Sequence, residues 1–335
     1  MLRDTLKTPS GLHRGIQILY LVFSVALGLQ FGLFVAWLLG KSPLLVPRPP
    51  AVEAFLPISA LLALRRLILT GNWDPVHPAG LVIFLFALLT ALLLRKSFCG
   101  YICPGGTLSF WLFRLGQRLG LTRNPPAWLT GLLALPKYLL LAFFLQATLR
   151  MSLPELEAFL NAPFNLAADS KMLFFFLPPD RTVCIVLALL ILGSLVLPSF
   201  WCRCFCPYGA LLGLISLLSP LAMRRETGAC TGCGRCRRAC PQGIAVDRKT
   251  RVCSTECTGC QECASVCPQR CLSLHLDLSP RPRPRPLPWQ LMGAATVGLL
   301  LLLWLWARLS GHWVSQVPLE LLRSLHENLS AIQHY

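Results

Sequence analysis

The sequence predicts an all-α polytopic membrane domain of about five transmembrane helices, into which a small α+β domain is inserted. Composition gives the first indication, since 55% of the residues are hydrophobic and only 13% are charged. A soluble domain usually carries about 25% charged residues. The second indication is a series of long apolar runs separated by basic loops. The third is a block of eight regularly spaced cysteines between the last two runs.

Five apolar segments are predicted to cross the membrane. They cover residues 16–39, 79–94, 132–149, 183–200 and 289–307. The first has 24 residues without a charge, which is more than the roughly 20 that a membrane-spanning helix needs. It is also longer than the apolar core of a signal peptide, about 7–15 residues. Residues 54–69 are too short to cross and are predicted to form an interfacial or re-entrant helix.

The distribution of charge predicts the orientation. The loops on one side, which include every clustered cysteine, carry 22 Lys and Arg against 6 Asp and Glu, whereas the other side carries 9 against 8. Because basic residues in short loops stay in the cytoplasm, the cysteine-rich side is predicted to be cytoplasmic. The expected location is the cytoplasmic membrane of a bacterium or archaeon, with the N-terminus inside and the tail, residues 308–335, outside.

The eight cysteines form two identical runs, each ending in Cys-Pro. The runs are Cys230-x2-Cys233-x2-Cys236-x3-Cys240 and Cys257-x2-Cys260-x2-Cys263-x3-Cys267. Two such runs specify a bacterial ferredoxin-like module with two [4Fe–4S] clusters, in which the fourth cysteine of each run binds the other cluster. The predicted ligands are therefore Cys230, Cys233, Cys236 and Cys267 for cluster 1, and Cys257, Cys260, Cys263 and Cys240 for cluster 2. Zinc sites use Cys-x2-Cys pairs separated by a longer spacer.

The cysteine runs define the domain limits. The membrane domain is predicted to cover residues 1–223 and the cytoplasmic ferredoxin-like domain residues 224–280. An extended Arg/Pro linker, residues 281–288, returns the chain to the fifth span. The module also carries a basic face, which suits either docking of an acidic flavodoxin or ferredoxin or contact with the inner leaflet. Its residues are Arg235, Arg237, Arg238, Arg248, Lys249 and Arg251.

A second cysteine motif occurs twice, directly after the second and fourth spans. Both copies follow the pattern aromatic-Cys-x3-Cys-Pro-x-Gly-x-Leu. We call residues 99–104 the first elbow and residues 202–207 the second elbow. If the repeated hairpins pack together, their thiols converge as an additional metal or cluster site; the alternative is a structural turn with buried thiols. The thiols concerned are Cys99, Cys103, Cys202 and Cys206. Four cysteines fit no complete motif and are expected to be small buried hydrophobes: Cys184, Cys204, Cys253 and Cys271.

Other kinds of site have little support. No dinucleotide-binding glycine motif or P-loop is present, no span contains a histidine for haem, and the net charge of +17 reflects membrane topology rather than nucleic-acid binding. A quinone pocket on the outer side is predicted at Asp74, His77, His312 and Trp313.

Together, the paired elbows and the two ferredoxin runs resemble those of membrane-bound polyferredoxins over about residues 10–310. This family is related to the quinol dehydrogenase membrane subunit of periplasmic nitrate reduction, the nitrous oxide reductase regulator and the copper-reducing protein of cytochrome oxidase assembly. The resemblance implies a membrane electron conduit linked to quinone or a periplasmic acceptor. Leu56 stands where some relatives have cysteine, and no single member is indicated.

The sequence therefore predicts a membrane-bound iron–sulfur protein that passes electrons between a quinone pool or a soluble donor and a membrane or periplasmic redox partner. It would act as a component of a quinol dehydrogenase-type oxidoreductase rather than as an enzyme alone. Two alternatives remain: a copper-reducing assembly factor that uses the elbow thiols, and a redox-sensing regulator.

Overall fold

The computed structural model describes residues 8–123, 125–276 and 286–327. Most of the predicted linker and the end of the predicted outer tail lie outside the described residues. The chain divides into two compact units. The first comprises Met1–Val22, Ala87–Leu141 and Ala188–Leu300, and the second comprises Phe23–Phe86, Ala142–Leu187 and Leu301–Tyr335.

The described part of the chain is mostly helical. Its helices are α1 (Pro9–Leu38), α2 (Pro57–Thr70), α3 (Pro78–Leu94), α4 (Pro104–Arg118), α5 (Ala127–Arg150), α6 (Leu153–Leu160), α7 (Pro163–Leu166), α8 (Ala168–Phe176), α9 (Arg181–Val196), α10 (Phe200–Cys204), α11 (Pro207–Ile215), α12 (Arg235–Ala239), α13 (Glu262–Ser265), α14 (Leu291–Leu309) and α15 (Leu319–Glu327). Its strands are β1 (Leu221–Arg225), β2 (Arg251–Val252) and β3 (Leu272–Leu276).

Three helices among the described residues, α1, α5 and α14, are long and apolar enough to cross a membrane. A fourth candidate is the pair α8 and α9, which are bent by 77° relative to each other. Helix α3 has 17 residues and counts as a shorter apolar helix. The number of five spans therefore stays a prediction.

Helix α9 covers most of the predicted fourth span, residues 183–200, but ends before it does. Helix α9 ends at Val196, and Ser199 adopts a left-handed conformation before α10 begins at Phe200. The physical reason is Pro198, which has no amide hydrogen to donate and disfavours helical geometry in the residue before it.

The long helices expose apolar side chains, which suggests association with a membrane. Leu19 of α1 is 65% exposed, Leu189 of α9 is 60% exposed and Leu302 of α14 is 66% exposed. Contiguous apolar surface of this kind is unusual on soluble proteins and is expected where lipid covers the helix.

The second unit has small apolar clusters of its own. Leu62 of α2 packs with Leu156 and Leu160 of α6. Phe31 and Leu322 belong to another cluster, which joins α1 to α15. These contacts fix the short helices α2, α6 and α15 and the loops between them.

The first unit contains a three-stranded antiparallel sheet in the order β2-β1-β3. Met223 of β1 pairs with Val252 of β2 and with Leu274 of β3. Strand β1 begins at Leu221, three residues before the predicted domain start at residue 224. The inward-facing side chains of this sheet form a core cluster with cysteines of both ferredoxin runs.

Candidate metal centres

The two cysteine runs fold into loops with matching backbone turns. Gly232 and Gly259 occupy equivalent positions and have φ values of 70° and 67°. Gly234 and Gln261, also equivalent, are left-handed residues that precede α12 and α13. Since left-handed residues reverse the chain locally, three thiols of each run can face one cavity.

Each cavity is lined by four of the predicted cluster ligands. The first has an empty volume of about 350 Å³ and is lined by Cys230, Cys233, Cys236 and Cys267, together with other residues. The second has about 360 Å³ and is lined by Cys240, Cys257, Cys260 and Cys263. The structure thus brings the last cysteine of each run to the cavity of the other run. Thiols are the donors that hold iron–sulfur clusters, so both sets fit this cofactor chemically.

The elbows begin two short helices and hold their first turns. A π-helical turn, Phe98–Ile102, leads into α4, with Cys103 at the N-cap. In the second elbow Cys206 is the N-cap of α11, and Gly209 N donates to its Sγ at 3.2 Å. A Cβ at Gly106 would lie 2.1 Å from the Cys99 carbonyl oxygen, so the first elbow requires glycine at this position.

The four elbow thiols come together in the first unit. Cys202 Sγ lies 3.7 Å from Ser109 Oγ of α4. Burial raises the pKa of the Cys99 thiol well above its usual value, the Lys96 ammonium group lowers it, and Cys103, Cys202 and Cys206 raise it further. Within the residues that the structure describes, no three His, Cys, Asp or Glu side chains are spaced to hold a single metal ion.

Three buried charges lie beside these thiols. Lys96 Nζ donates to Glu256 Oε2 at 3.1 Å, and Lys137 Nζ donates to Glu256 Oε1. Burial would lower the pKa of Lys96, but the charges of Glu256, Cys99 and Cys202 outweigh burial and raise it. Burial would raise the pKa of Glu256, whereas the two lysines hold it below its usual value. Together the two lysines and Glu256 carry a net positive charge. This charge lies next to the elbow thiols, which bind metals only as thiolate anions.

The first elbow packs directly on the second cysteine loop. A Cβ at Gly100 would lie 2.9 Å from Thr258 Cβ, so only glycine allows this approach. Tyr101 Oη donates to the Gly259 carbonyl oxygen at 3.3 Å. Thr258 and Gly259 lie between the predicted cluster ligands Cys257 and Cys260, so the first elbow and the second cavity are neighbours.

The start of α1 holds the same loop through a buried carboxylate. Arg14 Nη2 donates to Glu262 Oε2 at 2.6 Å, and His13 Nδ1 lies 3.3 Å from Glu262 Oε1. The side chain of Gln17 donates to the Gly100 carbonyl oxygen at 2.8 Å. Sequence reasoning missed these residues because only their polarity, just before a long apolar run, distinguishes them.

Arg95 and Lys96, counted as topological charges in the sequence, are both buried, each with 1% exposure. Arg95 donates to the backbone oxygens of Ser216, Val252 and Ser254, each at 3.1 Å. This side chain therefore joins the end of α11, which follows the second elbow, to the loop before Cys257.

The second unit has a separate buried polar cluster. Arg48 is ion-paired with Glu53 at 3.0 Å and with Asp169 at 2.8 Å. His77 Nε2 donates to the Asn165 carbonyl oxygen at 2.8 Å, and its Nδ1 lies 3.7 Å from Glu53 Oε1. Burial would lower the pKa of His77, but Glu53 outweighs this effect and raises it. Sequence reasoning missed Arg48, Glu53 and Asp169.

The remaining residues of the predicted quinone pocket also lie in this unit. Asp74 accepts hydrogen bonds from the backbone amides of Val76 and His77. His312 stacks on Trp306 with ring centroids 5.6 Å apart, and Trp313 packs with Ala79 and Val82 in a different apolar cluster. The structure thus joins Asp74 to His77. It also places His312 and Trp313 beside the same segment, since the rings of His312 and Trp73 lie 4.7 Å apart and Trp313 packs with Ala79.

The four cysteines outside complete motifs differ in exposure. Cys204 and Cys271 are buried as expected, whereas Cys184 and Cys253 are exposed. For these last two, the expectation of a buried hydrophobe is wrong.

Comparisons with known proteins agree with the cysteine geometry. A 4Fe-4S binding domain family matches residues 76–122 and 182–225, each of which contains one elbow, and a 4Fe-4S dicluster domain family matches residues 222–268. The chain is 35% identical over 326 residues to "Putative electron transport protein YccM" of Escherichia coli (strain K12), covering 96% of this chain and 91% of that protein.

More distant relatives share about half of the chain. Methylamine utilization ferredoxin-type protein MauN of Methylorubrum extorquens is 31% identical over 193 residues, which cover 56% of this chain and 61% of MauN. Uncharacterized protein MJ0749 of Methanocaldococcus jannaschii is 27% identical over 174 residues, 51% of this chain and 61% of that protein. No solved structure matches.

Proposed function

Because the chain belongs to the same family as YccM, a family of iron–sulfur electron transport proteins, we propose that it is a membrane-bound electron conduit with two [4Fe–4S] clusters. It passes electrons between a quinone pool or a soluble donor and a membrane or periplasmic redox partner. The observation that carries this proposal is the packing of the first elbow on the second cysteine loop, at Gly100 and Thr258.

The cluster ligands are the two sets of four cysteines that line the two cavities. When bound, the clusters would supply one-electron transfer. The protein supplies the thiolates, the burial that sets the dielectric, and the hydrogen bonds around the sulfurs. Burial raises the pKa of the Cys240 thiol to about 11.

The elbow thiols extend the route toward the membrane. They are four soft donors with a buried cation, Lys96, beside them, which suits a further iron–sulfur cluster or another thiophilic metal. Lys96 also binds Glu256, the residue before the cluster ligand Cys257. Such a centre would be connected to the second cavity through one short loop.

The proposed orientation places the cysteine unit in the cytoplasm. The bias of basic residues toward the cysteine-rich loops supports this orientation, as does the need for reduced thiols. Exposed basic side chains of the ferredoxin-like domain, Arg235, Arg238, Arg248 and Lys249, would attract an acidic donor protein.

On the outer side, the second unit would accept protons from a quinol. Oxidation of a quinol releases two electrons and two protons, so a quinol site needs proton acceptors near its ring. Glu53 and His77 form such a pair, since both are buried and Nδ1 of His77 faces the carboxylate. Asp74 holds the backbone at His77 and thereby positions its ring.

Anaerobic purification of the full chain in detergent tests the proposal. We expect about eight irons per chain, more if the elbows bind a cluster, and a [4Fe–4S] EPR signal after reduction by a quinol or by dithionite. Reduction by an acidic ferredoxin should slow as the salt concentration rises. Protein that binds zinc or copper but gives no reducible iron–sulfur signal would contradict the proposal.

A matched variant pair tests the proton-accepting residues. Glu53→Gln should slow cluster reduction by quinol without changing reduction by dithionite, which delivers electrons without quinol protons. Glu155→Gln, which removes a carboxylate at an exposed position of the same unit, is the control and should change neither rate. Equal quinol rates in wild type and Glu53→Gln would exclude this role for Glu53.

A further inference from the structure

The first cavity contains five thiols rather than four. Besides the predicted ligands, Cys271 lines this cavity. Its side chain is 6% exposed, and its Sγ lies 3.4 Å from Sγ of Cys267. A cubane needs four protein thiolates, so one of the five is in excess.

Cys271 lies beside predicted ligands that come from different runs. It contacts Cys267, which ends the second run, and it lines the same cavity as Cys230, which begins the first run. The fifth thiol therefore shares its cavity with the crossing ligand and with ligands of the run that encloses the cluster.

The internal repeat provides a comparison for this position. The first run continues as Cys240-Pro-Gln-Gly-Ile244, and the second as Cys267-Pro-Gln-Arg-Cys271. Ile244 is 8% exposed and lines the second cavity, as Cys271 lines the first. The fold therefore accommodates an apolar side chain at this position, and only the first cavity carries a thiol there.

The backbone holds the fifth thiol in place. Arg270 has a φ of 51°, in the left-handed region, and the equivalent Gly243 has a φ of 62°. Arg270 N donates to the Cys267 carbonyl oxygen at 3.2 Å, which closes the turn between the two cysteines. Non-glycine residues rarely adopt this conformation, because their Cβ crowds the following carbonyl oxygen. Strand β3 starts directly after Cys271 and anchors its other side.

We propose that Cys271 is a reserve ligand of cluster 1, which can replace Cys267 at the iron that Cys267 binds. The inference depends on the proposed function, because it assumes a [4Fe–4S] cluster in the first cavity. In the exchange, the bond from iron to Cys267 Sγ breaks and a bond from iron to Cys271 Sγ forms. The thiol proton of Cys271 passes to the released Cys267 thiolate, so no electron is transferred and the charge of the site is unchanged.

Matched variants in the two halves of the repeat test this exchange. We would purify the full chain anaerobically and measure iron per chain and the EPR signals of [4Fe–4S] and [3Fe–4S] clusters. Cys267→Ala should retain the wild-type iron content, because Cys271 becomes the fourth ligand. Cys240→Ala is the equivalent change in the second cavity, where Ile244 cannot bind iron. It should lose iron and give a [3Fe–4S] signal or no second cluster.

The double variant Cys267→Ala/Cys271→Ile should behave like Cys240→Ala, whereas Cys271→Ile alone should keep the wild-type iron content. Isoleucine is a suitable replacement because the second cavity already contains it. If alanine at position 267 prevents folding, Cys267→Val gives the same comparison, because valine is closer to cysteine in volume and has no atom that can bind iron.

Two results would overturn the proposal. If Cys267→Ala loses iron to the same extent as Cys240→Ala, Cys271 does not replace the missing ligand. If Cys271→Ile alone loses iron, Cys271 is the resident ligand rather than a reserve. A wild-type protein without iron–sulfur clusters would instead contradict the proposed function, and it is recognised before any variant is compared.

Discussion

Replacing Glu256 with glutamine should loosen the second cysteine loop. Glu256 is 8% exposed and accepts from Lys96 and Lys137, which are 1% and 0% exposed. In Glu256→Gln the two ammonium groups lose their only negative partner among the described ion pairs. Removing one partner of a buried ion pair typically costs about 3–5 kcal/mol.

A free-energy cost of this size predicts much more frequent local unfolding of the second cysteine loop. Each 1.4 kcal/mol is roughly a factor of ten in an equilibrium constant, so a cost of about 3 kcal/mol corresponds to roughly a hundredfold more opening. The amide of Cys257, which donates to the Ser254 carbonyl oxygen at 3.1 Å, reports on this loop. Amide hydrogen exchange measures such local opening directly.

The assay is hydrogen–deuterium exchange with mass spectrometry on anaerobically purified protein. Peptides that cover residues 252–260 should exchange about a hundredfold faster in Glu256→Gln than in wild type. Glu226→Gln removes an exposed carboxylate from the same unit and should change exchange by less than about twofold. Exchange in Glu256→Gln within about threefold of the wild-type rate would refute the argument that Glu256 balances the two lysines.

Two further predictions concern the elbow contact and the second unit. In Gly100→Ala the new Cβ would lie 2.9 Å from Thr258 Cβ. On the proposal that the elbow thiols hold a further cluster, electron transfer between that cluster and the second cavity should therefore slow in flash-reduction kinetics. Gly131→Ala, with nothing within 4 Å, is the control, and equal rates in the two variants would contradict the predicted contact. Because Glu53 raises the pKa of His77, charged His77 stabilises the second unit fully below about pH 6.5, and this stability is lost as the pH rises through the raised pKa. Thermal unfolding across this range should show a smaller pH dependence in His77→Gln, and parallel curves for variant and wild type would count against the Glu53 pairing.

The cysteine sets could be predicted because the chemistry of a cubane dictates their spacing locally. Three thiols in steps of three residues and a following Cys-Pro leave few other arrangements. The crossing of Cys240 and Cys267 between cavities follows from the repeat, without knowledge of the rest of the fold.

The buried charges could not be predicted because their partners are distant in sequence. Arg95 and Lys96 directly follow an apolar segment, where basic residues usually mark the cytoplasmic end of a span. Their acceptors lie about 120 to 160 residues further along the chain. Only the tertiary structure shows whether a charged side chain at such a position is buried and hydrogen-bonded or exposed to solvent.

Cys271 was overlooked for a different reason. A ferredoxin run ends at its Cys-Pro, so a cysteine four residues later looks like an ordinary small residue. Aligning Ile244 with Cys271 in the two halves of the repeat would have identified the unusual position from the sequence alone.

The contact of α1 with the second cysteine loop determines when this part of the fold can form during protein synthesis. Arg14 and Glu262 are separated by 248 residues, so the first helix leaves the ribosome long before its carboxylate partner exists. At about 5–20 residues per second, this wait lasts roughly 10–50 s. The beginning of α1 must therefore remain without its partner until the second cysteine loop has been synthesised. Because Glu262 lies within the second cysteine run, the contact between α1 and this run can form only after the whole first run has been synthesised.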